Sequence, residues 1–251
     1  MNFTYKSRYN IDDLIEIVKL LRSPDGCPWD KVQTHKTIRN DLIEECYEAV
    51  EAIDTDNPAL LREELGDVLL QVVFHSDIEA DKAARQTNEA TGAADNGEEK
   101  AADEGFTFDD VANDICVKLI TRHPHVFGDV LAKTPEEVLK NWDSIKKLEK
   151  NQETAVDTLN AVSKSLPALM RAEKVIKRAY RAGYSHTTDE ILDKIRQILD
   201  NVNNSDNIDK DMGDILLNIC ETCFLSKIFP EQVLTEATER YIIDFGLKFP
   251  E

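Results

Sequence analysis

Apolar residues recur every three or four positions along most of this chain, the spacing that gathers them on one face of an α-helix. Ile11, Leu14, Ile15, Val18 and Leu21 mark a first helix ending near Arg22. Ser23-Pro24-Asp25-Gly26-Cys27-Pro28-Trp29-Asp30 then interrupts the pattern with two prolines and a glycine, residues that turn a chain. Two further stripes follow, Leu42, Cys46, Ala49, Val50 and Ile53, then Leu61, Leu65, Val68, Leu69 and Val72, joined by the polar stretch from Asp54 to Pro58. Two amphipathic helices with so short a joint are expected to pack antiparallel with these stripes turned inward. Val111, Ile115, Leu119 and Ile120 predict a helix from about Phe106 to His123, and Val138 to Lys150 reads as another. The fold class expected is all-α.

The periodicity lapses between Glu79 and Glu104, where Ala, Asp, Glu, Asn and Thr dominate and aromatics are absent. Such a composition cannot bury a core. The stretch is expected to be a flexible acidic insertion.

The pattern of the first half returns in the second. Lys210-Asp211-Met212-Gly213-Asp214-Ile215-Leu216-Leu217 echoes Glu63-Glu64-Leu65-Gly66-Asp67-Val68-Leu69-Leu70, and Ile191, Ile195, Ile198, Leu199 and Val202 repeat the spacing of the stripe from Leu42 to Ile53. Two tandem helical bundles are therefore expected, residues 1–150 and 151–251, the second a degenerate copy with a structural or regulatory role.

What distinguishes the first copy is its acids. Glu45 and Glu48 fall about 60° and about 120° around the helix from Leu42, and Glu64 and Asp67 keep the same offsets from Leu61. Each stripe thus carries an acidic edge, and four carboxylates are expected to face one cleft. Left alone, such a cluster raises its own pKa values. A divalent cation relieves the repulsion, and an all-oxygen donor set suits Mg²⁺ or Mn²⁺ beside substrate phosphates. A solvated acidic face is the plainer alternative, and two matched pairs at equal offsets weigh against it. In the second copy Lys194 and Gln197 replace the first acidic pair while Asp211 and Asp214 remain, so Lys194 is expected to supply internally the positive charge that a metal brings to the first copy.

Other polar residues are less decisive. Trp29, in a loop just before a helix, suits either stacking on a nucleobase or covering the end of a bundle. Lys118 and Arg122 share a helix face, where they would hold phosphate if turned to the cleft and do little if turned to solvent. His35, His75 and the pair His123 and His125 lack the soft third ligand that a zinc site needs. Cys220 and Cys223 sit in a helical apolar run and are expected to be buried free thiols.

The chain carries a net charge of -19, which argues against binding nucleic acid or an anionic membrane surface. The N-terminus has no apolar signal core, and no apolar run approaches membrane-spanning length. A cytoplasmic protein is expected.

Taken together, Glu44-Glu45-x-x-Glu48, Glu64-x-x-Asp67, Gly26-Cys27-Pro28-Trp29-Asp30-Lys31, Arg122-His123-Pro124-His125-Val126-Phe127 and Ser165-Leu166-Pro167-Ala168-Leu169-Met170 resemble the MazG family of nucleoside triphosphate pyrophosphohydrolases. The resemblance spans most of the chain outside the insertion. It implies a dimeric all-α bundle that splits nucleoside triphosphates at the α-β bond into monophosphate and pyrophosphate with Mg²⁺. By likeness Glu45, Glu48, Glu64 and Asp67 are metal ligands, Glu44 and Glu48 serve the chemistry, and Trp29, Lys31, Lys118, Arg122 and Lys146 contact substrate. Relatives with two copies can keep their chemistry in the second, where this chain has Lys194 and Gln197. The same residues would also serve a dUTP-type or phosphoribosyl-ATP-type pyrophosphohydrolase, or a noncatalytic helical protein that binds metal or nucleotide.

Overall fold

A computed structural model describes residues 3–92, 105–132, 134–135, 137–138, 141–142 and 154–249, without the side chains of 85–92 and 204. Among the described residues every regular element is helical. The chain forms two compact units, Met1–Val138 and Leu139–Glu251.

In the first unit α1 spans Ile11–Arg22, opened by Asn10, whose side chain accepts from the Asp13 amide while Asp13 accepts from the Asn10 amide. This reciprocal capping satisfies two amides that the first helical turn leaves without partners. A single 3-10 turn, Asp30–Val32, follows the proline-rich loop. Gly26 is required there, because a Cβ would lie 2.3 Å from the carbonyl oxygens of both Leu20 and Leu21. Next come α2 (Arg39–Asp54) and the long α3 (Pro58–Gly92), then α4 (Phe108–Arg122) and the short α5 (Pro124–Phe127). Between α2 and α3, Asp56 takes a left-handed φ of 48° and Asn57 accepts from the Leu60 amide, so the chain reverses within three residues and the two helices pack together.

The core of this unit is Val18, Ile38, Val73, Phe74 and Ile78, flanked by Leu14, Ile15, Leu70 and Phe108. Arg22 closes it: the guanidinium bonds Asp77 at 2.7 Å, Asp81 at 3.0 Å and the Asp30 carbonyl at 3.0 Å, and lies over the Phe74 ring. A buried cation needs this many partners to offset its lost hydration.

Two expectations are corrected here. The acidic stretch does not leave the helix at Glu79, since α3 continues to Gly92. EADKAARQ is rich in strong helix formers, and a helix already nucleated propagates cheaply through them. Residues 93–104 lie outside those described. The apolar stripes are also only partly turned inward: Ala49 is buried and Leu42, Leu61, Val68 and Val72 are half-buried. Val50, Ile53, Leu65 and Leu69 are exposed, as is Cys46, and α2 buries Ala49 and Ala52. Small side chains let the two helices approach closely, which draws the acids beside them inward.

The second unit holds α6 (Ala155–Asn160), α7 (Ala168–Arg181), α8 (Thr188–Asn201), α9 (Ile208–Leu225) and α10 (Pro230–Lys248). Ile191, Ile215 and Cys220 are buried at the seams among α7, α8 and α9. Burial pushes the Cys220 thiol up to about 11, so it is an inert core thiol, and the five cysteines are all free.

Candidate active site

The α2–α3 pairing places the acids. Glu45 and Glu48 lie one turn apart on α2, and Glu64 lies at the end of the second turn of α3. One carboxylate oxygen from each of these three lies within 4.8 Å of the other two, a spacing that fits a single divalent cation. Glu64 is 8% exposed, a burial that a carboxylate tolerates only with a partner. Asp67, half-buried one turn on, does not join the triple, yet its charge acts on both Glu45 and Glu64.

Electrostatics agree with the geometry. Burial first, then the charges of Asp67, Glu48 and Glu64, push the Glu45 carboxyl above the usual range. Glu64 is raised by burial and then by Glu48, Glu63 and Asp67. Acids that oppose one another's ionisation are relieved by a cation, and hard oxygen donors of this kind suit Mg²⁺ or Mn²⁺.

The other expected site residues are distributed differently. Glu44 is exposed one turn before Glu48. Lys118 is exposed and Arg122 half-buried near the end of α4, which packs against α3. Trp29 is 58% exposed at the start of the 3-10 turn. Lys31 donates to the Pro24 carbonyl and lines a cavity with Asp81 and with Asp77, the latter 13 residues and about 20 Å along α3 from Glu64. Lys146 lies outside the described residues.

The sequence reading did not foresee the polar row that continues from the acids along α3. Gln71 and His75 follow Glu64 by seven and eleven residues, so they share its face. Gln71 is buried, and its Oε1 and the His75 Nε2 have no hydrogen-bond partner among the described residues. His75 bonds His35, which in turn bonds Glu79. Helical spacing from Glu64 was the available signal.

In the second unit the lysine expected beside the remaining aspartates points elsewhere. Lys194 bonds His186 Nε2 at 2.9 Å, and His186 Nδ1 bonds the buried Glu221 at 2.9 Å. The cation paired with Asp214 is Lys210, at 2.7 Å, in the place of Glu63.

Comparison with known proteins accords with this site. The model of the MazG nucleotide pyrophosphohydrolase domain matches residues 33–96 and 93–127, segments that include every acid of the cluster. A Thermotoga maritima protein named nucleoside triphosphate pyrophosphohydrolase/pyrophosphatase MazG is 34% identical over 238 residues, covering 93% of this chain and 83% of that protein. The chain belongs to the MazG family. An Escherichia coli K12 MazG relative named nucleoside triphosphate pyrophosphohydrolase is 38% identical over 217 residues, 82% of this chain and 74% of its own length. Bacillus subtilis YabN, named as uncharacterized, is 38% identical over 90% of this chain, which spans 43% of YabN. As a MazG protein the chain is a tandem helical one whose second copy has lost half its acids, and no described helix is long and apolar enough to cross a membrane.

Proposed function

We propose that the first unit hydrolyses nucleoside triphosphates to nucleoside monophosphate and pyrophosphate, with Mg²⁺, or Mn²⁺ in its place, held by Glu45, Glu48, Glu64 and Asp67. The observation that carries this reading is the convergence of three carboxylate oxygens within 4.8 Å, beside a fourth acid. The names of the relatives support the substrate class.

Glu45, Glu48, Glu64 and Asp67 would hold the cation, which when bound would screen the triphosphate's charge and supply Lewis acidity. The spacing of Glu45, Glu48 and Glu64 would set where the cation, and with it the triphosphate, could be held. Glu44, beside Glu48 on the helix, orients the attacking water and takes its proton. The water oxygen bonds the α-phosphorus, the bridging P–O bond breaks, and its electron pair leaves with pyrophosphate. Lys118 and Arg122 stabilise the charge that grows on that leaving group. Lys146 is assigned to substrate on resemblance alone.

The reaction serves to clear unwanted nucleotides from the cytoplasmic pool, with the chain acting as a homodimer that covers the exposed aliphatic stripe of α2 and α3. The test is a panel of ribo-, deoxy- and base-modified triphosphates incubated with the purified chain and Mg²⁺. Pyrophosphate and monophosphate in equal amounts are expected, abolished by chelator. Diphosphate and orthophosphate, or no turnover on any member while Mg²⁺ binds, would overturn the proposal.

A further inference from the structure

The first unit holds a second polar cavity that the hydrolytic site does not use. It has a volume of about 500 Å³ and is lined by the end of α1, the loop after it and the 77–81 turn of α3. Asp77 stands 13 residues beyond Glu64, which places it about 20 Å along the helix and about 140° around it. The α3 wall of this cavity is thus several turns from the clustered acids and on another face of the helix.

Its charge is unusual for a chain of net charge -19. Lys19, Arg22 and Lys31 line it together with Asp77 and Asp81. Arg22 bonds both aspartates, so the two acids are already committed to a cation fixed in the floor. Two ammonium groups remain. Lys31 gives one of its donors to the Pro24 carbonyl, and Lys19 makes no hydrogen bond among the described residues, although its charge reaches Asp77. An ammonium carries three donors, so most of the donors of this pair are unused.

We propose that this cavity is a binding site for a phosphate-bearing small molecule of up to nucleotide size. Lys19 and Lys31 hold the phosphate by charge-assisted hydrogen bonds. Asp81, half-buried and bonded to Arg22, also lines the cavity, where its charge repels a second anionic group. The volume lies in the range of small-molecule sites, large enough for a nucleoside monophosphate. Occupancy braces the loop that carries Trp29 against α3. This inference stands independently of the hydrolytic reading, because it uses none of the cluster acids.

Calorimetry in metal-stripped, low-salt buffer tests it, since without a cation the carboxylate cluster repels phosphates and contributes no signal. The probes are pyrophosphate and guanosine monophosphate, titrated into the full chain. One site per chain is expected, weakened at least about tenfold by Lys19→Gln with Lys31→Gln and strengthened about twofold by Asp81→Asn, as removal of near charges requires. Tighter binding of pyrophosphate identifies an inorganic-anion site, and tighter binding of the nucleotide identifies a nucleotide site. Glu48→Gln is expected to leave either affinity unchanged. Circular dichroism checks that each variant is folded, and Lys19→Gln alone serves if the double variant is not. Absence of binding by the folded wild type, equal affinity in the lysine variants, or loss on Glu48→Gln would overturn the proposal.

Discussion

The rings of His35 and His75 lie stacked with centroids 5.0 Å apart and planes 11° from parallel, and their Nδ1 atoms are 2.7 Å apart. A contact of this kind holds one proton between the two nitrogens. His35 also gives Nε2 to Glu79, so the neutral arrangement has His35 donating there and accepting from His75. The pair ties the lead into α2 to the middle of α3.

That arrangement predicts acid sensitivity. Burial, then the neighbouring His35, lowers the His75 pKa below 6.5, so its contribution to stability is present above 6.5 and is lost as pH falls through the lowered value. Glu79 adds the same sign further down. Lys82, then His35, hold its carboxyl below 4.5, and that stability is lost as pH falls through the depressed value. Thermal melts of wild type and His75→Gln from about pH 7.5 to about pH 5 check this, since His titrates in that range. The wild type is expected to lose more stability on acidification than the variant, and parallel curves would refute the assignment.

The carboxylate cluster predicts the opposite sign. Folded Glu45 and Glu64 have raised pKa values, so without metal their contribution is present at low pH and is lost as pH rises through those values. Glu48→Gln removes the charge that acts on both. Its metal-free melting temperature is expected to rise above that of the wild type, while pyrophosphate release falls by about 100-fold or more, as for loss of a group that stabilises a transition state. Asp67→Asn should behave alike with a smaller gain in stability. Wild-type turnover in either variant would sink the assignment of these acids.

Why the acids were legible and the core was not follows from what each signal measures. Glu45, Glu48, Glu64 and Asp67 stand out by spacing alone, and helical geometry carries that spacing into space. Hydrophobic periodicity gives the apolar face of a helix but not what covers it. Among residues that obey the pattern Val50 and Leu65 are exposed and Ala49 is buried, and Ala52, which lies outside the pattern, is buried as well. The continuation of α3 past Glu79 was hidden for a similar reason. Composition registers a missing core, and a helix propagating from a packed segment needs none. His35 and His75 are 40 residues apart, and only the α2–α3 reversal brings their rings together.

The exposed stripe gives a third expectation. Val50, Ile53, Leu65 and Leu69 line the outer faces of two adjoining helices, an apolar surface that a single chain leaves to water. If a second copy covers it, Leu65→Asp with Leu69→Asp shifts the chain from dimer to monomer in analytical ultracentrifugation. Neither residue is among the clustered acids, so each folded subunit keeps its cation site. A wild type that sediments as a monomer at all concentrations would dismiss the homodimer.

The second copy supplies the last test. It differs from the first by more than the two substitutions visible against the first acidic pair, because Lys210 pairs with Asp214 from the place of Glu63, and Lys194 belongs to the His186–Glu221 network. Replacing Lys194 and Gln197 by glutamate therefore returns two acids while leaving one aspartate paired, and takes from His186 its Lys194 partner. Lys194→Glu with Gln197→Glu is expected to give only weak Mn²⁺ binding in the second unit. Adding Lys210→Glu frees Asp214 and is expected to tighten it by about tenfold or more, the order set by removing one close opposite charge. The measurement is Mn²⁺ titration followed by electron paramagnetic resonance, in a Glu48→Gln background that silences the first unit. Equal affinity in the double and triple variants would mean that Lys210 does not hold the second site shut.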